Sequence, residues 1–173
     1  MEYLSERIKS LSVSQTLAMA QKSRELKDKG VDVISLSLGE PDFNTPDYIK
    51  AAAKKAIDDN YSKYPPVPGY NDLRDAISAK FREENGITYS REQIVVSGGG
   101  KHSLINVIMS VINPGDEVII LAPYWVSYYD QILLAGGIPV VVEAHIENDF
   151  KVDPSQIEKA ITGRTRLIIF NSP

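Results

Sequence analysis

Four short apolar runs, IVVS (94–97), VIILA (118–122), PVVVE (139–143) and RLIIF (166–170), constrain this chain more than any other feature of its sequence. None alternates apolar with polar residues, so none suits a sheet with one face in water, and each has to be covered on both faces. Segments of helical length and period separate them. Strand, helix, strand in repetition is the grammar of a mostly parallel sheet with helices on both faces, an α/β class of fold. Ligands of such sheets sit beyond the carboxyl ends of the strands.

The elements follow from local signals. A polar helix over Ser14 to Lys29 is closed by Gly30, with Lys27 and Lys29 in its last turn. A short strand is expected over Val33 to Ser37. Thr45 as N-cap, Pro46 at the first helical position and Asp47 in the first turn set a helix running to about Asp58. The next helix begins near Asn71. Its apolar Leu73, Ile77 and Phe81 recur at i, i+4 and i+8, and Asn85-Gly86-Ile87 reads as its stop. Then come strand Gln93 to Ser97, helix Lys101 to Ile112, strand Glu117 to Leu121 and helix Val126 to Leu134. Strand Ile138 to Glu143, helix Pro154 to Ala160 and strand Thr165 to Phe170 complete the series.

Composition removes several function classes. The net charge of −4 excludes a strongly basic nucleic-acid binder, and 43% hydrophobic with 24% charged residues is the balance of an ordinary globular domain. With no cysteine there is neither a disulfide framework nor a thiolate nucleophile or cysteine metal site. His102 and His145 are not spaced as metal ligands, and each reads as an ordinary polar residue. No apolar run reaches a membrane span, and the opening MEYLSERIKS lacks the apolar stretch of a secretory signal, so a cytoplasmic protein is expected.

Three features fall just beyond apolar runs. Ser97-Gly98-Gly99-Gly100-Lys101 joins a strand to a helix; glycines let backbone N–H groups approach a phosphate, and the helix N-terminus adds positive potential. The alternative is a plain flexible turn, since the run is neither a dinucleotide fingerprint nor a P-loop. Ala122-Pro123-Tyr124-Trp125 follows EVIIL, and Trp125 is placed to stack on a planar ring or to serve as a core or interface residue. Gly39, in Ser37-Leu38-Gly39-Glu40-Pro41-Asp42-Phe43, either admits a substrate carboxylate to the backbone or simply makes a turn. Tyr64, in Ser62-Lys63-Tyr64-Pro65-Pro66, offers a hydroxyl to a phosphate or is a surface tyrosine. Basic pairs such as Lys54-Lys55 read as solvated helix faces.

Taken together, these segments resemble the N-terminal part of fold-type I pyridoxal-phosphate (PLP) aminotransferases, closest to the bacterial aspartate aminotransferase branch. The resemblance spans essentially the whole chain. It rests on Gly39-Glu40-Pro41-Asp42-Phe43, Lys63-Tyr64-Pro65-Pro66 with Gly69 and Leu73-Arg74-Asp75-Ala76-Ile77, then Gly99-Gly100-Lys101, Pro114-Gly115-Asp116-Glu117-Val118, Pro123-Tyr124-Trp125 and Asn171-Ser172-Pro173, in register. It implies the PLP-dependent transferase fold. Residues 1–45 would form an N-terminal arm and small-domain segment, and 46–173 the first part of the large cofactor-binding domain. Gly99, Gly100 and Lys101 would cradle the PLP phosphate, Trp125 would stack on the pyridine ring and border the substrate, and Gly39 would meet the substrate carboxylate. Tyr64 would reach the phosphate of a neighbouring subunit, which implies a homodimer.

The same resemblance sets the lysine that holds the cofactor, the aspartate beside its ring nitrogen and the substrate arginines beyond position 173. The sequence is therefore expected to be part of a longer protein, whose activity is amino-group transfer between an amino acid, aspartate being one candidate, and a 2-oxo acid. By itself the 173-residue chain is expected to be inactive. A PLP-dependent β-lyase of the same fold and a non-catalytic dimerising fragment are the alternatives, as is a generic phosphate-binding α/β module. No metal, nucleic-acid or membrane partner is expected.

Overall fold

The computed structural model describes residues 3–12 and 14–171. Contacts divide the chain into two compact units, Met1–Leu38 with Leu104–Pro173, and Gly39–Ser103. This division reflects packing within the present chain and leaves the expected boundary at residue 45 a separate question.

The first unit is built on a parallel sheet of three strands among the described residues: β1 (Glu117–Ala122), β2 (Ile138–Glu143) and β3 (Thr165–Ile169), in the order β2-β1-β3. β1 runs beside β2 from Glu117↔Ile138 to Ala122↔Glu143. It meets β3 at Glu117↔Thr165 and, after a slip in register, from Val118↔Leu167 to Ile120↔Ile169. A neighbour on each side explains why β1 carries Val118, Ile119 and Ile120 at 0% exposure. Each such side chain contributes roughly 2 kcal/mol of transfer free energy.

Among the described residues, seven α-helices accompany the sheet and the second unit: α1 (Glu6–Lys9), α2 (Gln15–Asp28), α3 (Asp47–Asp58), α4 (Asn71–Asn85), α5 (Gly100–Val111), α6 (Ser127–Leu134) and α7 (Pro154–Ala160). Ile108 and Ile112 at the end of α5 join Tyr128 and Ile132 of α6 in one cluster with Val118, Ile120 and Ile169. Alternation along β1 turns Ile119 to the opposite face. The crossovers β1-α6-β2 and β2-α7-β3 travel in opposite directions, and right-handed connection therefore places α6 and α7 on opposite faces. A helix-covered parallel sheet is thus present, built from three of the four apolar runs.

Helix boundaries agree closely with the sequence reading, because caps are local chemistry. Ser14 accepts the Leu17 N–H in front of α2, and Gly30 follows that helix at φ +78°. Asp153 and Gln156 form the reciprocal capping box of α7. At α3 the expectation is corrected by one position: Pro46, not Thr45, is the N-cap, and its carbonyl accepts from Ile49 and Lys50. Proline fixes its own φ, and with ψ at 144° it sits outside the helix it opens.

Two expected strands do not form. Val33 to Ser37 runs without a ladder partner among the described residues, leaving Ile34 and Leu36 almost wholly exposed. Arg91–Gln93 is a 3-10 turn, and residues 94–97 are extended without pairing; the Val96 N–H reaches only the Pro68 carbonyl. Apolar content is a property of the segment, whereas a strand also needs a second backbone at hydrogen-bonding distance.

Glu117 sits at the start of β1 with only 4% exposure, and its carboxylate accepts from Thr162 Oγ1 at 2.6 Å and from the Arg164 guanidinium. The Thr162 hydroxyl first, and Arg164 after it, hold this carboxyl below the usual carboxylate range against the opposing effect of burial. A depressed native pKa contributes stability that is complete above the ordinary value of about 4.3 and disappears as pH falls through the native one. Glu117→Gln should therefore lower the denaturant midpoint at neutral pH, with the gap to wild type closing below about pH 4. A gap that widens on acidification would contradict this assignment.

Gly137 offers a second check. A Cβ there would lie 2.9 Å from Ile112 Cγ2, 3.1 Å from Ile132 Cγ2 and 3.3 Å from the Asp116 carbonyl. Gly137→Ala should cost about 1–3 kcal/mol by overpacking, read from the same unfolding curves.

Candidate functional site

The second unit is organised around Arg74. Although charged, this side chain is only 8% exposed. It donates from Nε to the Ile94 carbonyl at 3.0 Å, from Nη1 to Asn71 Oδ1 at 3.2 Å and from Nη2 to the Arg91 carbonyl at 2.5 Å. A guanidinium has donors enough to satisfy several carbonyls at once. In doing so it fastens the 91–94 segment to α4. Asp75, one residue on, takes both arms of Arg91, with Nε to Oδ1 at 2.6 Å, and this pairing holds the Asp75 carboxyl below its ordinary range. Phe81 and Tyr89 meet edge-on at 5.8 Å between ring centres.

The segment thus anchored leads into the glycine-rich turn. Gly99 has φ +98° and gives its N–H to the Ser97 carbonyl at 2.8 Å, while its own carbonyl accepts from Ser103 at 3.1 Å and opens α5. The N–H groups of Gly100 and His102 in the first turn of α5 have no hydrogen-bond partner among the described residues. Helix geometry leaves these donors unpaired and concentrates partial positive charge there. A Cβ at Gly99 or Gly100 would meet nothing within 4 Å, so the space before the turn is open. Gly98, Gly99, Gly100 and Lys101 are all exposed. Open donors, positive potential and no shielding side chain suit an anionic oxygen cluster such as a phosphate.

One contact here goes unmentioned in the sequence reading. The Gly98 N–H donates to His102 Nδ1 at 3.0 Å. By sequence His102 reads as an ordinary polar residue; its position four residues after Gly98, one helical turn away, is the signal that could have found this bond.

Tyr64 and Gly39 belong to the same unit. Tyr64 is fully exposed, and its hydroxyl has no partner among the described residues. Gly39 is exposed, and a Cβ added there would meet nothing within 4 Å. Neither is joined to the glycine turn by a hydrogen bond.

Trp125 lies in the first unit, three residues beyond the end of β1 and just before α6, after a cis Ala122–Pro123 bond. Its ring is 38% exposed and meets Tyr128 edge-on, 5.6 Å between centres at 88°. Tyr124 packs against the core cluster instead, and burial, followed by Tyr129 and Asp130, pushes its phenol up. The carboxyl ends of β1 and β3 flank a cavity of about 660 Å³ lined by Leu121, Pro123, Phe150, Val152, Phe170 and Asn171 among others. Trp125 is not part of that lining. Among the described residues no group of three His, Asp or Glu side chains is gathered to hold a metal ion, and no helix is long and apolar enough to cross a membrane.

The glycine turn can be checked through its backbone. Gly99→Val should destabilise by about 1–3 kcal/mol, since a β-branched residue is strained at φ +98°. Gly98→Ala, whose Cβ would sit 3.4 Å from His102 Nδ1, should stay within about 1 kcal/mol of wild type. Equal losses in the two variants would refute the conformation described for Gly99.

Comparison with known proteins bears on the whole chain. Residues 31–173 match the family model described as aminotransferase class I and II. All 173 residues align with the aspartate/prephenate aminotransferase of Cereibacter sphaeroides at 54% identity, covering 43% of that protein, and with that of Thermus thermophilus at 44% identity, covering 45%. Among solved structures, the Thermus thermophilus aspartate aminotransferase with maleate superposes with a TM-score of 0.93 at 43% identity, over 97% of this chain and 44% of that one. The aspartate aminotransferase of Thermotoga maritima gives 0.89 at 37% identity, over 95% and 44%. The chain spans less than half the length of the relatives it matches.

Proposed function

Because the chain belongs to the class I and II aminotransferase family, we propose that it is part of a pyridoxal 5'-phosphate enzyme that moves an amino group between an amino acid and a 2-oxo acid. The observation that carries this reading is the first turn of α5. There Gly99 takes φ +98°, the Gly100 N–H has no partner among the described residues, and the space in front is open. A cofactor phosphate needs such a set of donors, so the residues present fit it.

The residue roles are those that the family resemblance implies. Gly100 and Lys101 would meet the phosphate through their backbone N–H groups, and Gly99 supplies the turn that precedes them, its own N–H being given to Ser97. Trp125, half-exposed and braced by Tyr128, would stack on the cofactor's pyridine ring. Gly39 lets a substrate carboxylate reach the backbone. Tyr64, exposed and without an internal partner, donates its hydroxyl to the phosphate in the neighbouring subunit of a homodimer. When bound, the cofactor supplies an electron sink for the substrate's α-carbon. Residues 1–45 are assigned to the arm and small domain, and 46–173 to the large domain.

Relatives named for aspartate and prephenate support aspartate as amino donor and a 2-oxo acid, prephenate included, as acceptor. The 173 residues alone are inactive in this reading, since the family's cofactor-holding lysine has no counterpart among them.

The test uses the full-length protein. Bound cofactor should give a visible absorption band, and aspartate with 2-oxoglutarate should yield equimolar oxaloacetate and glutamate. Release of pyruvate and ammonia from a β-substituted amino acid such as a cysteine conjugate, without a 2-oxo acid, would replace transamination by the lyase reading, and failure to bind the cofactor would leave the dimerising fragment and the generic phosphate-binding module. Tyr64→Phe should weaken cofactor binding about tenfold, the loss of one hydrogen bond to a charged group. Unchanged affinity would remove Tyr64 from the site.

A further inference from the structure

The glycine turn before α5 has an unusual problem of rigidity. Gly98, Gly99 and Gly100 in succession carry no side chains, and glycine loses more conformational freedom on ordering than any other residue. Packing does not hold them. A Cβ at Gly99 or Gly100 would touch nothing within 4 Å, and one at Gly98 would meet only His102 Nδ1, at 3.4 Å. A binding turn that must be ordered anew for each phosphate would lose affinity to that ordering.

The hydrogen bonds show what supplies the order. Gly99 is tied at both ends to the main chain, through its N–H to Ser97 and its carbonyl to Ser103. Gly98 is tied by a side chain: its N–H donates to His102 Nδ1 at 3.0 Å. His102 stands in the first turn of α5, so this bond closes the turn onto the helix whose N-terminal donors face the open space. A backbone N–H can only donate, and Nδ1 must therefore carry its lone pair. The ring accepts through Nδ1, which settles the tautomer and removes that nitrogen as a donor to any anion.

We infer that His102 is a positioning residue for the phosphate turn: its Nδ1 pins the Gly98 amide and thereby pre-orders Gly98 to Lys101, acting as an acceptor toward the protein and not as a phosphate ligand. This rests on the reading of the preceding subsection and assigns a task to a histidine that the proposed reaction does not otherwise use. The role asks for an acceptor one helical turn after Gly98. Asparagine, whose Oδ1 stands close to the place of Nδ1, should fill it; leucine should not.

The test is made on the full-length protein stripped of cofactor, with three probes: pyridoxal 5'-phosphate, pyridoxal without its phosphate, and inorganic phosphate. His102→Leu should weaken pyridoxal 5'-phosphate and inorganic phosphate about fivefold, the worth of one ordering hydrogen bond, and leave pyridoxal unchanged. His102→Asn should stay within about twofold of wild type for all three, since it keeps the acceptor. The inference is overturned if His102→Leu matches wild type, if pyridoxal weakens along with the phosphorylated probe, or if His102→Asn is as impaired as His102→Leu. Hydrogen exchange of the wild type gives a check that needs no variant. The Gly98 amide should be protected without any ligand, and exchange at the rate of a free peptide would overturn the assignment. A wild type that binds none of the probes overturns the proposed function as well, whereas one that binds them and is indifferent to His102 overturns the positioning role alone.

Discussion

Val118, Ile119 and Ile120 are removed from solvent because β1 has a hydrogen-bonded parallel neighbour on each side and side chains packed over it. The rest of the first unit depends on that arrangement. With β1 central, α6 has to return the chain to β2 and α7 has to return it to β3, and the two helices take opposite faces. Glu117 then lands where Thr162 and Arg164 can receive it at the amino end of the sheet, and Ala122 to Trp125 leave at the carboxyl end. The chemistry of the two ends differs accordingly. The amino end is closed by a buried carboxylate with its own partners, while the carboxyl end carries a half-exposed aromatic ring and an open cavity.

The second unit solves a different problem with polar groups. Its 94–97 segment lacks a ladder, so its backbone carbonyls need other donors, and Arg74 provides one for Ile94 and another for Arg91 in the turn just before it. Burial of this guanidinium is tolerable because each of its three nitrogens donates to an oxygen. From that anchored segment the chain passes through three glycines into α5, with His102 answering the amide of Gly98. Arg74 and His102 thus act in series on the same stretch, one fixing where it begins and the other how it turns.

How much of this was legible depended on how local the physics is. Ser14, Gly30, Gly86 and Pro154 act within one or two turns, and the helices they bound lie where their spacing placed them. β1, β2 and β3 were legible as apolar runs separated by helical segments. Val33 to Ser37 and Gln93 to Ser97 look the same in sequence, yet they have no partner strand among the described residues. Thr45 failed as a cap because Pro46 already holds the conformation a cap requires. The glycine turn was visible as a place where a phosphate fits; the division of its hydrogen bonds among Ser97, Ser103 and His102 was not.

By itself the sequence determined the α/β class, the bounds of most helices, the apolar runs from which the strands are drawn, and the positions of Gly99, Gly100, Lys101 and Trp125 between an apolar run and a helix. All of these depend on patterns that repeat within a few residues. Only the tertiary structure decided the strand order β2-β1-β3, which apolar runs became strands, that Arg74 and Glu117 would be buried with partners, and that His102 Nδ1 would face the Gly98 amide. Those outcomes turn on which groups meet across long stretches of chain, or on the direction a side chain takes once its backbone is set. Hydrogen bonds and burial are properties of pairs and surroundings, and a residue's identity alone does not contain them.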